Sequence, residues 1–200
     1  MITDEYRTLA CETRGLYKEK GSKFIAVALP VSTEEEIRLA RERIRKEFHD
    51  ARHHCFAWRI GEPPYESRYN DDGEPSGTAG KPILGQIQSF ELTQILIVVV
   101  RYFGGIKLGT GGLIQAYKKA SMDALENGQI ITKHWKVKVK ISFDYLKMNE
   151  IMKIIKEEDL MVTGQESGER CHISLEINKY RSLTIYNKFN SVESLEWAVF

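Results

Sequence analysis

The sequence predicts an α+β protein of two domains, and three patterns along the chain predict it. Ile95 to Val100 is an unbroken aliphatic and β-branched run, as in a central strand covered on both faces. Apolar residues recur at helical spacing within 37–48 and again within 113–125. Beyond residue 134 a fresh set of elements begins, in the order strand, helix, strand, strand, helix, strand. These patterns place one domain over residues 1–131 and a second over 135–200.

In order, Tyr6 to Tyr17 and Ser22 to Leu29 are expected as two strands joined through Lys18 to Gly21. Thr33 with Glu36 forms a capping-box pattern, and Ile37, Ala40, Ile44 and Phe48 make one face of the helix that follows. Ala51 to Ile60 returns to alternation. His54, Phe56, Trp58 and Ile60 then fall on one side of a strand, with His53, Cys55, Ala57 and Arg59 on the other. Asn70 to Leu84 is too broken by glycine and proline for helix or strand and is expected as a long loop leading into a strand. After the central strand, Leu113, Ile114, Ala116, Tyr117, Ala120, Ala124 and Leu125 form a helix that Asn127-Gly128 stops.

Ile130 to Trp135 is expected to link the halves. Trp135, Val137, Val139, Ile141 and Phe143 then alternate with Lys136, Lys138, Lys140 and Ser142, giving one buried and one basic face. A helix over 145–158 turns Met148, Ile151, Met152 and Ile155 inward. A hairpin around Glu166 to Glu169, a helix over 182–189 and a strand near 195–199 complete a ferredoxin-like βαββαβ order.

Composition is ordinary for a globular chain, with 42% apolar and 28% charged residues, so no disordered class is implied. Residues 1–24 lack a signal-peptide pattern, and no apolar run approaches a membrane span, which predicts a cytoplasmic protein without a membrane partner. Three well-separated cysteines, Cys11, Cys55 and Cys171, fit reduced thiols better than a disulfide framework. Net charge is +1, yet residues 101–140 hold eight Lys/Arg against two carboxylates, while 62–74 hold five carboxylates against Arg68. A basic segment could then be faced by an acidic loop, while charge runs of this kind most often mark solvated faces.

Two glycine-dense segments carry the chemistry. Arg101 to Tyr117, RYFGGIKLGTGGLIQAY, places Gly104, Gly105, Gly109, Gly111 and Gly112 between the central strand and a helix. Glycine there permits positive φ and lets amide N–H groups converge on an anion at the helix start, with Lys107 and Arg101 nearby. Neither named nucleotide motif fits. A P-loop requires lysine where Thr110 follows Gly109, and a dinucleotide fingerprint requires glycine at position 114, which is Ile114. His49, His53, His54 and Cys55 invite a metal reading, but a zinc site needs three or four ligands, and no second Cys/His cluster has suitable spacing. No metal and no cofactor are expected.

The segments NDDGEPSGTAGKPIL (70–84) and RYFGGIKLGTGGLIQAY (101–117), preceded by HDARHHCFAW (49–58), resemble the signature of the IMPACT/YigZ family in order and spacing. The chain length suits its bacterial, two-domain members. The resemblance implies an N-terminal α+β domain of the left-handed βαβ type, like a domain of a small-subunit ribosomal protein and domain IV of elongation factor G. It implies a ferredoxin-like C-terminal domain like the last domain of that factor. Small-molecule kinases that share the implied N-terminal fold bind phosphate at a glycine-rich helix start, but their Ser-Ser run is missing here.

Two functions follow as expectations. In the first, the chain is a translation-associated binding protein that contacts RNA, the ribosome or a translation factor through a basic groove. Arg101, Lys107, Gly109, Thr110, Gly111, Gly112 and Lys81 are its candidates for holding a phosphate-type anion or RNA. Asp71, Asp72, Glu74, Ser76, Thr78, His53, His54 and Tyr102 are its candidate groove residues. In the second, the same groove is the site of an enzyme for a small phosphorylated or peptide-like substrate.

Overall fold

The structure, a computed structural model, describes residues 5–168 and 170–200. The chain divides into two compact units, one covering Tyr6–Thr132 and the other Lys133–Phe200 together with Glu5.

The first unit is built on a five-stranded sheet of β2 (Thr13–Glu19), β3 (Ser22–Pro30), β4 (His53–Ile60), β5 (Glu66–Asn70) and β6 (Ile95–Tyr102). Its order is β2-β3-β6-β4-β5, and every neighbouring pair is antiparallel. The aliphatic run of β6 lies at the centre, and Ile95 to Arg101 are all buried. Helix α1 (Glu34–Glu47) covers one face, and α2 (Gly80–Ser89) and α3 (Gly109–Glu126) cover the other. Strand alternation assigns the residues: Leu96, Val98 and Val100 pack toward α1, whereas Ile95, Ile97 and Val99 pack toward α2 and α3. Helix α1 begins as its capping pattern requires. The Thr33 hydroxyl accepts from Glu36 N at 3.2 Å, and the Glu36 carboxylate accepts from Ser32 N at 2.6 Å.

Three local expectations are corrected. Tyr6 to Tyr17 is two strands rather than one: β1 (Glu5–Leu9) pairs with β7 (Ile130–His134) in a separate two-stranded sheet, and β2 pairs with β3. The supposed link at 130–135 is therefore largely a strand. Second, residues 80–89 form α2, not loop and strand. The helix tolerates Pro82 because a first-turn N–H has no intrahelical partner, and its first amides are held by a distant side chain. Asp71 Oδ1 accepts from Ala79 N and Gly80 N at 3.0 and 2.8 Å, and Oδ2 accepts from Gly77 N at 2.8 Å. Third, α3 starts at Gly109, one turn before the first core residue, Leu113.

Close packing accounts for two glycines. A Cβ on Gly15 of β2 would sit 2.3 Å from Ala124 N, so α3 lies directly against that strand. One on Gly104 would sit 1.9 Å from the Gly21 carbonyl carbon, so the loop after β6 rests on the β2–β3 turn.

The second unit runs β8 (Lys136–Asp144), α4 (Met148–Glu157), β9 (Met161–Glu166), β10 (Arg170–Asn178), α5 (Ser182–Phe189) and β11 (Glu196–Val199). Its antiparallel sheet has the order β11-β8-β10-β9. Val139, Ile141 and Phe143 meet Cys171, Ile173, Leu175 and Ile177 on the face covered by α4 and α5. On α4 the buried seam runs through Met148, Ile151, Ile154 and Ile155, and Met152 is exposed rather than inward. Lys136 and Lys140 on the other face pair with Glu176 on the adjacent β10 and with Glu166 on β9, one strand further. The expected turn over 166–169 includes Glu169, which lies outside the described residues. Among the described residues, no helix is long and apolar enough to cross a membrane.

Candidate functional site

The alternation of β6 carries Arg101 onto the same face as Ile97 and Val99, at the end of the strand where the glycines begin. Across the sheet, Arg101 lies between Phe24 of β3 and His53 of β4. Its guanidinium carbon is 5.4 Å from the Phe24 ring centroid and 5.6 Å from that of Phe103. A charge only 7% exposed requires a partner, and Glu74 supplies it. Arg101 Nη1 donates to Glu74 Oε1 at 2.6 Å, and the Tyr117 hydroxyl donates to the same oxygen at 2.8 Å. Behind them, the Cys55 thiol donates to the Asp71 carbonyl at 2.9 Å and lies 3.3 Å from the Tyr117 hydroxyl. Burial pushes the Cys55 thiol up to about 12 and the Tyr117 hydroxyl above its ordinary range, so both are neutral structural groups.

One donor of this network is unmet. Arg101 Nε is buried without an acceptor. Leaving a buried donor unpaired costs about 1–3 kcal/mol, more when the group is charged.

A cavity of about 600 Å³ opens beside it. Asp50, Arg52 and His53 form one wall, Glu74 and Pro75 a second, and Arg101, Tyr102 and Phe103 the strand end. Lys107, Leu108, Gly109, Thr110 and Leu113 close it with the start of α3. That start is electrostatically open: no side chain caps Leu108, and the first turn holds no acidic residue. The leading amides and the helix dipole therefore present partial positive charge that no side chain of the helix's own first turn neutralises. Arg52 and Lys107 are exposed at the cavity wall, and neither has an ion-pair partner among the described residues.

Of the candidate residues, Arg101, Lys107, Gly109, Thr110, Glu74, His53 and Tyr102 converge on this cavity, so both glycine-rich segments reach it. The others are not among the residues that line it. Asp71 is spent on the α2 amides, and Asp72 accepts from His54 N at 2.7 Å and from Arg45 at 3.2 Å. Thr78 is buried, with its hydroxyl donating to the Pro75 carbonyl, and Ser76 is exposed. Lys81 lies on the exposed side of α2. Gly111 and Gly112 belong to the first helical turn, and neither has positive φ; Gly105 and Gly109 do, at 90° and 72°. The sequence reading weighs the histidines of 49–58 and passes over Arg52. Only the fold tells Phe103, 59% exposed, from Tyr102, which is half-buried with its hydroxyl donating to Asp50 at 2.7 Å. Among the described residues, no group of three or more His, Cys, Asp or Glu side chains is placed to hold a metal ion.

The two histidines divide. His53 Nδ1 donates to the Asp72 carbonyl at 2.8 Å, which leaves Nε2 as the free ring nitrogen. His54 is buried under α1, its Nε2 donating to the Phe48 carbonyl at 3.1 Å. Desolvation lowers the His54 pKa from 6.5. The unfolded chain then takes up a proton first as pH falls, so stability declines below about pH 6.5 until the folded histidine also titrates. Urea unfolding at about pH 7.5 and 5.5 should show a larger loss in the wild type than in His54→Gln. Equal losses would remove His54 from the pH dependence.

Residues 20–125 match the Impact N-terminal domain family. An IMPACT family member of Haemophilus influenzae is 35% identical over 162 residues, 80% of this chain and 79% of that one. The Bacillus subtilis member YvyE is 39% identical over 141 residues, 70% of this chain and 65% of that protein, just under two thirds of its length. A crystal structure of a hypothetical protein superposes with a TM-score of 0.77 at 29% identity, covering 98% of this chain and 97% of that one.

Proposed function

The chain belongs to the IMPACT family, and on that premise we propose that it is a binding protein of the translation apparatus whose groove at the start of α3 takes a phosphate of RNA. The observation that carries this reading is the uncapped, acid-free start of α3 at the cavity, with Lys107 and Arg52 exposed beside it. An anion there meets helix amides and Lys107 together, and charge-assisted contacts of this kind are the stronger class of hydrogen bond. The likeness of both units to domains of elongation factor G and of a ribosomal protein, which the family resemblance implies, supports RNA of the ribosome as the source of that phosphate. The βαββαβ order of the second unit agrees with that likeness. The enzymatic reading has less behind it: Cys55 is fully buried and neutral, and Glu74 is locked between Arg101 and Tyr117.

The test is RNA binding across a salt series. Affinity should fall linearly in log–log form, and Lys107→Ala should reduce the slope by about one and weaken binding by about 1.5–3 kcal/mol. Lys107 is exposed, so the variant keeps its fold. Binding that ignores salt, or a Lys107→Ala variant indistinguishable from wild type, would overturn the proposal.

A further inference from the structure

The cavity is two-sided in its chemistry. Arg52, Lys107 and the α3 start supply positive charge, while Pro75, Phe103, Leu108 and Leu113 supply an apolar wall in the same space. An anion alone has no use for that wall. A ligand with a charged end and a flat apolar end uses both, and a nucleotide is such a ligand: phosphate at one end, base at the other.

Phe103 is the residue that fits the base. It stands directly after β6, two positions beyond Arg101, and is 59% exposed at the cavity. A phenylalanine with most of its surface in water contributes little to the core, since burial is the source of its stabilising effect. Its ring is already polarised by the Arg101 guanidinium, 5.6 Å from the ring centroid. The neighbouring Tyr102 cannot do the same, because it is half-buried and its hydroxyl is engaged by Asp50.

We propose that the groove binds single-stranded RNA by taking one unstacked nucleotide, its phosphate at the start of α3 beside Arg101 and its base against the ring of Phe103. The proposal rests on the phosphate reading above and adds the base. A duplex does not satisfy it. Paired bases remain stacked on one another, and an A-form helix offers a side chain its backbone and minor groove rather than a base face.

Three 5′-phosphorylated probes of equal phosphate count separate the possibilities at fixed salt: a single-stranded RNA 20-mer without self-complementarity, a blunt duplex of two decamers, and an abasic 20-mer. The single strand should bind tightest. The duplex, the abasic strand, and the single strand with Phe103→Ala should each bind about 5- to 150-fold more weakly, the range that loss of one base stack carries. Phe103→Trp should restore binding, and Phe103→Ala should leave abasic binding unchanged. Thermal unfolding confirms that each variant is folded. If the abasic strand or the duplex binds as tightly as the single strand, or Phe103→Ala does nothing, the base contact is overturned while the phosphate reading stands. If none of the probes binds, both fall.

Discussion

Replacing Glu74 by alanine should lower the free energy of unfolding by about 3–5 kcal/mol, because it strands a buried guanidinium. The side chains of Arg101 and Glu74 are 8% and 4% exposed, and Glu74 Oε1 is the common acceptor of Arg101 and Tyr117. Alanine therefore leaves two buried donors unmet beside a third, Arg101 Nε. Glu74→Gln should cost less, since an amide oxygen still accepts both bonds, although it too leaves the guanidinium without a counter-charge. Urea unfolding midpoints compare the two. Equal, small losses would mean that water reaches Arg101 and that the pair is not a buried one. Surface pairs such as Arg38 with Glu35 set the contrast, as both partners are more than half exposed and their loss is expected to be slight.

The second large effect is at Gly104. A methyl group there would stand 1.9 Å from the Gly21 carbonyl carbon and 2.2 Å from Ser22 N, both backbone atoms. Gly104→Ala should therefore separate the loop from the β2–β3 turn and break the Gly104 N to Ser22 Oγ bond of 3.1 Å. A loss of about 1–3 kcal/mol or more is expected, with weaker RNA binding because that loop leads into the α3 start. Gly111→Ala is the control. It meets open space and lies in a helix, where alanine is favoured over glycine by roughly 0.5–1 kcal/mol. Melting temperatures of the two variants should move in opposite directions, and a tolerated Gly104→Ala would contradict the close approach.

What was legible in the chain is what local pattern controls. The β6 run, the Thr33–Glu36 cap of α1 and the alternation of β8 and β10 each reflect neighbours in sequence, and each stands where its residues place it. Helix α2 was hidden because its amides are held by Asp71, eight and nine residues upstream, and no local capping residue announces it. The early start of α3 was hidden by four residues, Gly-Thr-Gly-Gly, of poor helix propensity. For the site, glycine density located the loop, and charge bias suggested that an acidic segment faces a basic one. Which carboxylate meets which cation was beyond sequence. Glu74 reaches Arg101, whereas Asp71 and Asp72 turn to backbone amides. The exposure of Phe103 against the half-burial of Tyr102 likewise depends on which side of β6 each residue leaves.

The most direct test of the central claim is an amide and arginine side-chain NMR titration of the whole chain with inorganic phosphate. The account predicts saturable shifts at the amides of residues 109–111, the first amides of a helix that no side chain caps, and their loss in Lys107→Ala at the same phosphate concentration. Shifts confined to the lysines of β8, or none at all in the presence of excess phosphate, would contradict it.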